Sequence, residues 1–315
     1  MSVSNTNVHD QPSTNAFKRI FYRPPFIGLL AFLIVFLTQG LGHTLMVGME
    51  MLFGIEYQYE AAAFLGLFGA YLLYLGMKNP GEVAATWLGF FAGTFLWTGW
   101  VEFSFVFYAN HLSVLPLIED GAIVTKPEYL VMPSSLGVMM ATLAYFLLNK
   151  ETKCNFFKWF QRHLHMSTGR PSRSYERNFA AITCLETIYV IWFFYIALLL
   201  MYDQAILGDR HWFTYALFLG NLTWTIYLLQ RLVRFWKVTT AIRYGIPTAI
   251  IAWTNVELLG RWNFFTEIWI HPDQYALEMG LIFSAALAFT VIAILTPTHQ
   301  KTALAQQKRS SSRVA

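Results

Sequence analysis

The sequence predicts an all-α polytopic membrane protein, with about eight transmembrane helices arranged as two parallel four-helix repeats. Composition carries the class: 56% of the 315 residues are hydrophobic and only 13% are charged. That is about half the charged share of a soluble domain, so buried helices of a large soluble enzyme would find too little polar sequence to cover them. Apolar runs also recur at the ~20 residues a helix needs to cross ~30 Å of hydrocarbon. The arrangement rests on an internal echo. Trp97-Thr98-Gly99-Trp100-Val101-Glu102 and Trp253-Thr254-Asn255-Val256-Glu257 each sit late in an apolar run. Phe64-Leu65-Gly66 and Phe218-Leu219-Gly220 precede them, and Pro127-Glu128-Tyr129 and Pro272-Asp273-Gln274-Tyr275 follow. An ordered triple match points to duplication and fusion of one unit, although the spacing from glycine to tryptophan differs by two residues between the copies.

Taken in order, residues 1–25 form a cytoplasmic amino-terminal segment. Its start is polar and has no apolar h-region, so the first span is expected to act as the targeting signal. Residues 26–148 make the first four-helix repeat, with spans at roughly 26–48, 60–77, 83–108 and 129–148. Residues 149–178 form a basic cytoplasmic loop. The second repeat, 179–296, has spans at roughly 179–202, 212–230, 244–260 and 275–296, and 297–315 is a polar cytoplasmic tail. Four spans per half bring both halves in from the same side, so the repeats are parallel and related by an axis along the membrane normal.

Lysine and arginine orient the chain. Lys18, Arg19, Arg23, Lys78, Lys150, Lys153, Lys158, Arg162, Arg170, Arg173, Arg177, Arg231, Arg234, Lys237 and Arg243 fall on one side with the basic tail. Lys126, Arg210 and Arg261 fall on the other. The positive-inside rule then puts both termini in the cytoplasm of a cell-membrane protein. The net charge of +4 therefore reports orientation, with anionic lipid contact as a by-product. The expected partners are the lipid bilayer and other membrane subunits, not nucleic acid. Cys154 and Cys184 form no C-x-x-C pair and face the reducing side, which argues against a disulfide framework or structural zinc.

The two long outer connections, about Asn110–Lys126 and Arg261–Gln274, are apolar and aromatic for exposed loops. They are expected to be short interfacial helices or flaps over the ends of the spans. Beneath them, rise per residue sets His43, Glu102 and Glu257 at similar depth in the outer third of the bilayer. His43 and Glu50 are seven residues apart on one helix face, with Met46 between them. Ionisable groups inside a membrane are expensive and usually functional. Glu102 and Glu257 are thus candidate catalytic carboxylates, and His43, Glu50 and Glu102 candidate metal ligands. Trp97, Trp253, Asn255 and Arg261 are candidate substrate-binding residues.

Plainer readings stand beside these. Glu257 and Arg261 are spaced for a helix ion pair, and Met46, Met49 and Met51 for apolar filling. Glu60 and Glu278 suit the headgroup zone, and His163-x-His165 suits a loop surface. Asn221, Thr223 and Thr225 form a polar stripe suited to helix–helix bonding. Glu186 is a further deep carboxylate, and Glu267-x-x-x-His271 has the spacing to share a helix face.

Several chemistries lack their signatures. There is no G-x-x-x-x-G-K-[ST], G-x-S-x-G or H-E-x-x-H in the chain. Histidine boxes, paired haem histidines and a mid-membrane lysine for a retinal-type Schiff base are likewise missing from the sequence. Over about twenty residues, Glu257-x-x-x-Arg261-Trp262-Asn263-Phe264 followed by Pro272 resembles segments of the membrane subunits of particulate methane and ammonia monooxygenases. The resemblance implies a copper site built from an aspartate four residues before a histidine, with a second histidine beyond. Here Phe107 stands at the acid position before His111 and Tyr129 near the second histidine, so that ligand set is not met.

Two functional classes follow. One is a membrane-embedded redox enzyme or enzyme subunit binding a metal, quinone or apolar substrate. Carboxylate plus imidazole suits a transition metal, and methionine favours copper. The other is a proton- or cation-coupled transporter with Glu102 and Glu257 at the repeat interface. A structural subunit of a membrane complex is the third expectation.

Overall fold

The computed structural model describes residues 23–119, 122–149, 152, 154–166 and 177–295. The expectations placed on residues 1–22, on Lys150, Lys153, Arg170 and Arg173, and on the tail 297–315 lie outside the described residues. The elements are Phe26–Gly54 (α1), Glu56–Lys78 (α2) and Glu82–His111 (α3). An antiparallel hairpin of Leu117–Glu119 (β1) and Ala122–Thr125 (β2) comes next. Then come Pro127–Leu148 (α4), Asn155–His163 (α5), Phe179–Tyr202 (α6), Trp212–Leu232 (α7), Val238–Arg261 (α8) and Ala276–Leu295 (α9). A 3₁₀ turn, Ile268–Ile270, lies between α8 and α9.

Among the described residues the structure is all-α apart from the hairpin, and six helices are long and apolar enough to cross a membrane: α1, α2, α3, α4, α6 and α9. The expected count of eight is not reached on length and composition alone. Helices α7 and α8 have spanning length, 21 and 24 residues, but are too polar to be counted on composition. Packing supplies the reason for α8, which lies against α1, α3, α6 and α7. Most of its length is buried, so its polar residues meet protein rather than lipid. Ala31, Ile34 and Val35 of α1 interlock with Ile242, Ile246, Ala249 and Ile250 of α8, and Trp87, Phe90 and Trp97 of α3 complete the same core.

Three local features depart from the expected elements. The first two spans meet at a kink instead of a loop: helix continues to Gly54, whose backbone adopts φ 61°, a region that glycine enters without steric cost. Where the sequence suggested a short interfacial helix or a flap between α3 and α4, a hairpin forms, pairing Leu117 with Thr125 and Ile118 with Ile123. Its β-branched residues suit a strand. Finally, α3 is interrupted by a π-turn over Trp97–Glu102. Gly99 lets this turn lie directly against α2, because a β-carbon there would come 2.5 Å from the Gly66 backbone nitrogen and 2.6 Å from the Ala62 carbonyl.

At the end of the bundle remote from the hairpin, the short helix α5 divides its surface three ways. Phe157 is buried against Phe146 and Tyr189, and Gln161 donates to the Leu147 carbonyl at 2.7 Å. Phe156, Trp159 and Phe160 are exposed along one side. Lys158 and Arg162 occupy the remaining face, as the 3.6-residue period requires. Burial raises the Cys154 thiol pKa at the start of this helix.

Candidate functional site

At the hairpin end, α1, α3, α6 and α8 bring their polar residues together. His43 Nε2 of α1 lies 3.1 Å from Glu257 Oε1 of α8, and the two side chains are 17% and 16% exposed. The same carboxylate oxygen accepts the Trp253 indole N–H at 2.5 Å, one helical turn earlier on α8. The Trp253 ring stacks beside His43, 6.4 Å between centroids. The 3₁₀ turn closes over this pair. Trp269 packs on Trp253 at 4.8 Å, and the Thr44 hydroxyl donates to the Trp269 carbonyl at 3.1 Å.

Glu102, 4% exposed, ends the π-turn of α3 and accepts the Tyr195 hydroxyl of α6 at 2.9 Å. The Tyr195 ring links the two carboxylates, lying 6.2 Å from His43, 5.7 Å from Trp97 and 6.1 Å from Tyr129. Three carboxyls bear electrostatically on the single His43 imidazole: Glu257, Glu102 and Glu267.

The two Trp–Glu pairs named in the sequence meet at this cluster with different spacings. In α8, Trp253 and Glu257 are four residues apart and share a face of a regular α-helix. In α3, Trp97 and Glu102 are five apart, and the π-turn, with its i to i+5 hydrogen bonding, absorbs the extra residue. Both tryptophans and both glutamates thereby reach the same cluster. Their bonding differs: the Trp97 indole N–H is buried with no hydrogen-bond partner among the described residues, and Glu102 turns to Tyr195 instead.

Other expected site residues lie elsewhere. Asn255 faces α7, donating to the Thr225 hydroxyl at 3.2 Å beside an Asn221 bond to the Ile251 carbonyl at 2.9 Å. Two residues along an α-helix is a rotation of ~200°, which turns Asn255 away from the face shared by Trp253 and Glu257. Arg261 binds Asp209 at 3.4 Å and covers the Tyr202 ring at 5.0 Å, placing it on the α6–α8 side of the loop. Glu186, the other deep carboxylate, pairs with Arg243 at 3.0 Å. Glu60 and Glu278 are exposed.

The proposed metal-ligand set is not assembled. Glu50 is 3.7 Å from Lys126, which also reaches Glu128 at 3.9 Å. Seven residues on one helix separate His43 from Glu50 by ~10 Å of rise, too far to share one ion in this conformation. Among the described residues, no group of three or more His, Cys, Asp and Glu side chains is placed to hold a metal ion. Tyr195 and Lys126 were not singled out in the sequence, since a lone tyrosine in an apolar run and a loop lysine carry no distinguishing pattern.

Beside the closed cluster lies an open cavity of about 370 Å³, lined by Gly260, Asn263, Phe265, Thr266, Glu267, Ile270 and His271. Burial, then the neighbouring Glu257 carboxylate, pushes the Glu267 carboxyl up to about 7, against the opposing pull of His43 and Arg261. No family model, curated protein or solved structure matches the chain.

Proposed function

We propose that this chain is an eight-span membrane protein of two parallel four-helix halves that takes up and releases a proton at its His43–Glu257–Glu102 cluster, as the coupling site of a proton-linked carrier. Both termini are cytoplasmic in this reading, and the cluster lies towards the extracytoplasmic face. One arrangement carries it: His43 meets Glu257 at 3.1 Å, and the Tyr195 ring beside His43 donates to the buried Glu102, so two carboxyls gather at one imidazole inside a packed helix bundle. Lys126 pairs with Glu50 and Glu128, and Arg261 with Asp209. Buried charge without a matching counter-charge is neutralised by proton or cation uptake. The Glu257–His43 contact and the Tyr195–Glu102 bond then supply exchangeable positions on helices from both halves.

Two further observations support the arrangement. The π-turn over Trp97–Glu102 offsets the unequal Trp–Glu spacing, which supports reading the two halves as duplicated. The polarity of α8 accords with a span enclosed by other helices instead of lipid, and α7 packs directly against it.

The test is infrared difference spectroscopy on protein in proteoliposomes, stepped between acid and neutral pH. A protonated-carboxyl C=O band is expected in the wild type and should be lost or shifted in Glu257→Gln and Glu102→Gln. Proton movement followed by a trapped pH dye should fall with it. Spectra in which neither substitution alters any pH-dependent carboxyl band would refute the reading.

A further inference from the structure

His43 and Glu257 are mostly buried, 17% and 16% exposed, which raises the question of how a proton reaches them. Trp269 seals the face above Trp253. On the Glu102 side, Lys126 ties Glu50 and Glu128 together. The side towards the loop 262–275 is different. There the cavity of about 370 Å³ opens, with Glu267 and His271 in its lining.

The geometry points to Glu267 as the port through which protons pass between that cavity and the His43–Glu257 pair, a role resting on the function proposed above. Gly260 is what lets it lie there. A β-carbon on Gly260 would fall 2.5 Å from Glu267 Oε1, 2.7 Å from its Cδ and 2.8 Å from its Cγ, so the carboxylate rests directly on the last turn of α8. Gly260 is three residues beyond Glu257 and therefore on nearly the same helix face. Glu267 thus borders the cavity on one side and acts electrostatically on Glu257 and His43 on the other. The charged and titratable groups around it are Glu257 and Arg261 from α8, His43 from α1, and His271 from its own loop. A carboxyl that titrates near neutrality can both accept and pass on a proton at ordinary pH.

The experiment is a rapid pH jump on intact protein in liposomes, following the Glu257/Glu102 carboxyl band in time. Glu267→Gln removes the exchanging group. Gly260→Ala keeps it but forces it off α8, and only the end of a flexible side chain has to move, so the fold tolerates the change. Both variants are expected to slow proton exchange by on the order of a hundredfold, the low end for loss of a positioned proton-transfer group. The final extent of the band change should match the wild type. Exchange at the wild-type rate in both variants would overturn the port while leaving the proposed function standing. A wild-type protein with no pH-dependent carboxyl band would overturn that function itself, and the port with it.

Discussion

The His43–Glu257 contact admits a quantitative test, a double-mutant cycle built from His43→Ala, Glu257→Ala and the pair. The side chains are 3.1 Å apart and about one-sixth exposed, so the contact belongs with buried pairs. Breaking such a pair from one side costs about 3–5 kcal/mol, because the survivor is left without its counter-charge. Two features pull the value to the low end. Glu257 keeps the Trp253 indole bond, and residual water reaches both groups. A cost of about 3 kcal/mol for His43→Ala and a coupling of about 2 kcal/mol between the sites are expected. Denaturant titration in detergent, followed by tryptophan fluorescence, reads both, since the Trp253 ring lies beside His43. Lys126 and Glu50 provide an internal control: their pair is 3.7 Å long with side chains 47% and 32% exposed, so its coupling should be only about 0.2–1 kcal/mol. A His43–Glu257 coupling no larger than that of the control would refute the assignment of a buried pair.

Other outcomes follow from single contacts. Gly99→Ala drives a methyl group into the α2 backbone at Gly66 and Ala62, which cannot swing aside. It should cost about 1–3 kcal/mol as overpacking, visible as a lowered denaturation midpoint, with Gly137→Ala, where a methyl group meets open space, as the neutral comparison. Tyr195→Phe deletes the donor to Glu102 and should cost about 1.5–3 kcal/mol without disturbing helix content by circular dichroism. The Glu267 carboxyl is raised from 4.5 to about 7, so the folded state holds its proton more tightly than the unfolded chain. Its contribution to stability is fully present below 4.5 and is lost as pH rises through about 7. Denaturation midpoints across that window should therefore fall in the wild type and fall less in Glu267→Gln.

Much of the architecture was legible one helix at a time. Apolar run length and low charge determined a mostly α-helical chain with several helices long and apolar enough to cross a membrane, because hydrocarbon leaves the backbone few other ways to satisfy its hydrogen bonds. The turn over Trp97–Glu102 left a trace in the sequence, since Trp97 and Glu102 are five residues apart where Trp253 and Glu257 are four. The hairpin also had a signal, the Asp120-Gly121 dipeptide between β-branched residues, a pairing favoured in tight turns that the apolar character of the loop obscured. Tertiary structure alone decided the partners. Residues 43 and 257, or 102 and 195, meet only because α8 and α6 pack where they do, and helical periodicity does not say which helices are neighbours. Likewise Asn255 and Glu257 are two positions apart in one motif, yet one binds α7 and the other His43, because each residue turns ~100° around the axis and the bundle presents a different neighbour at each angle.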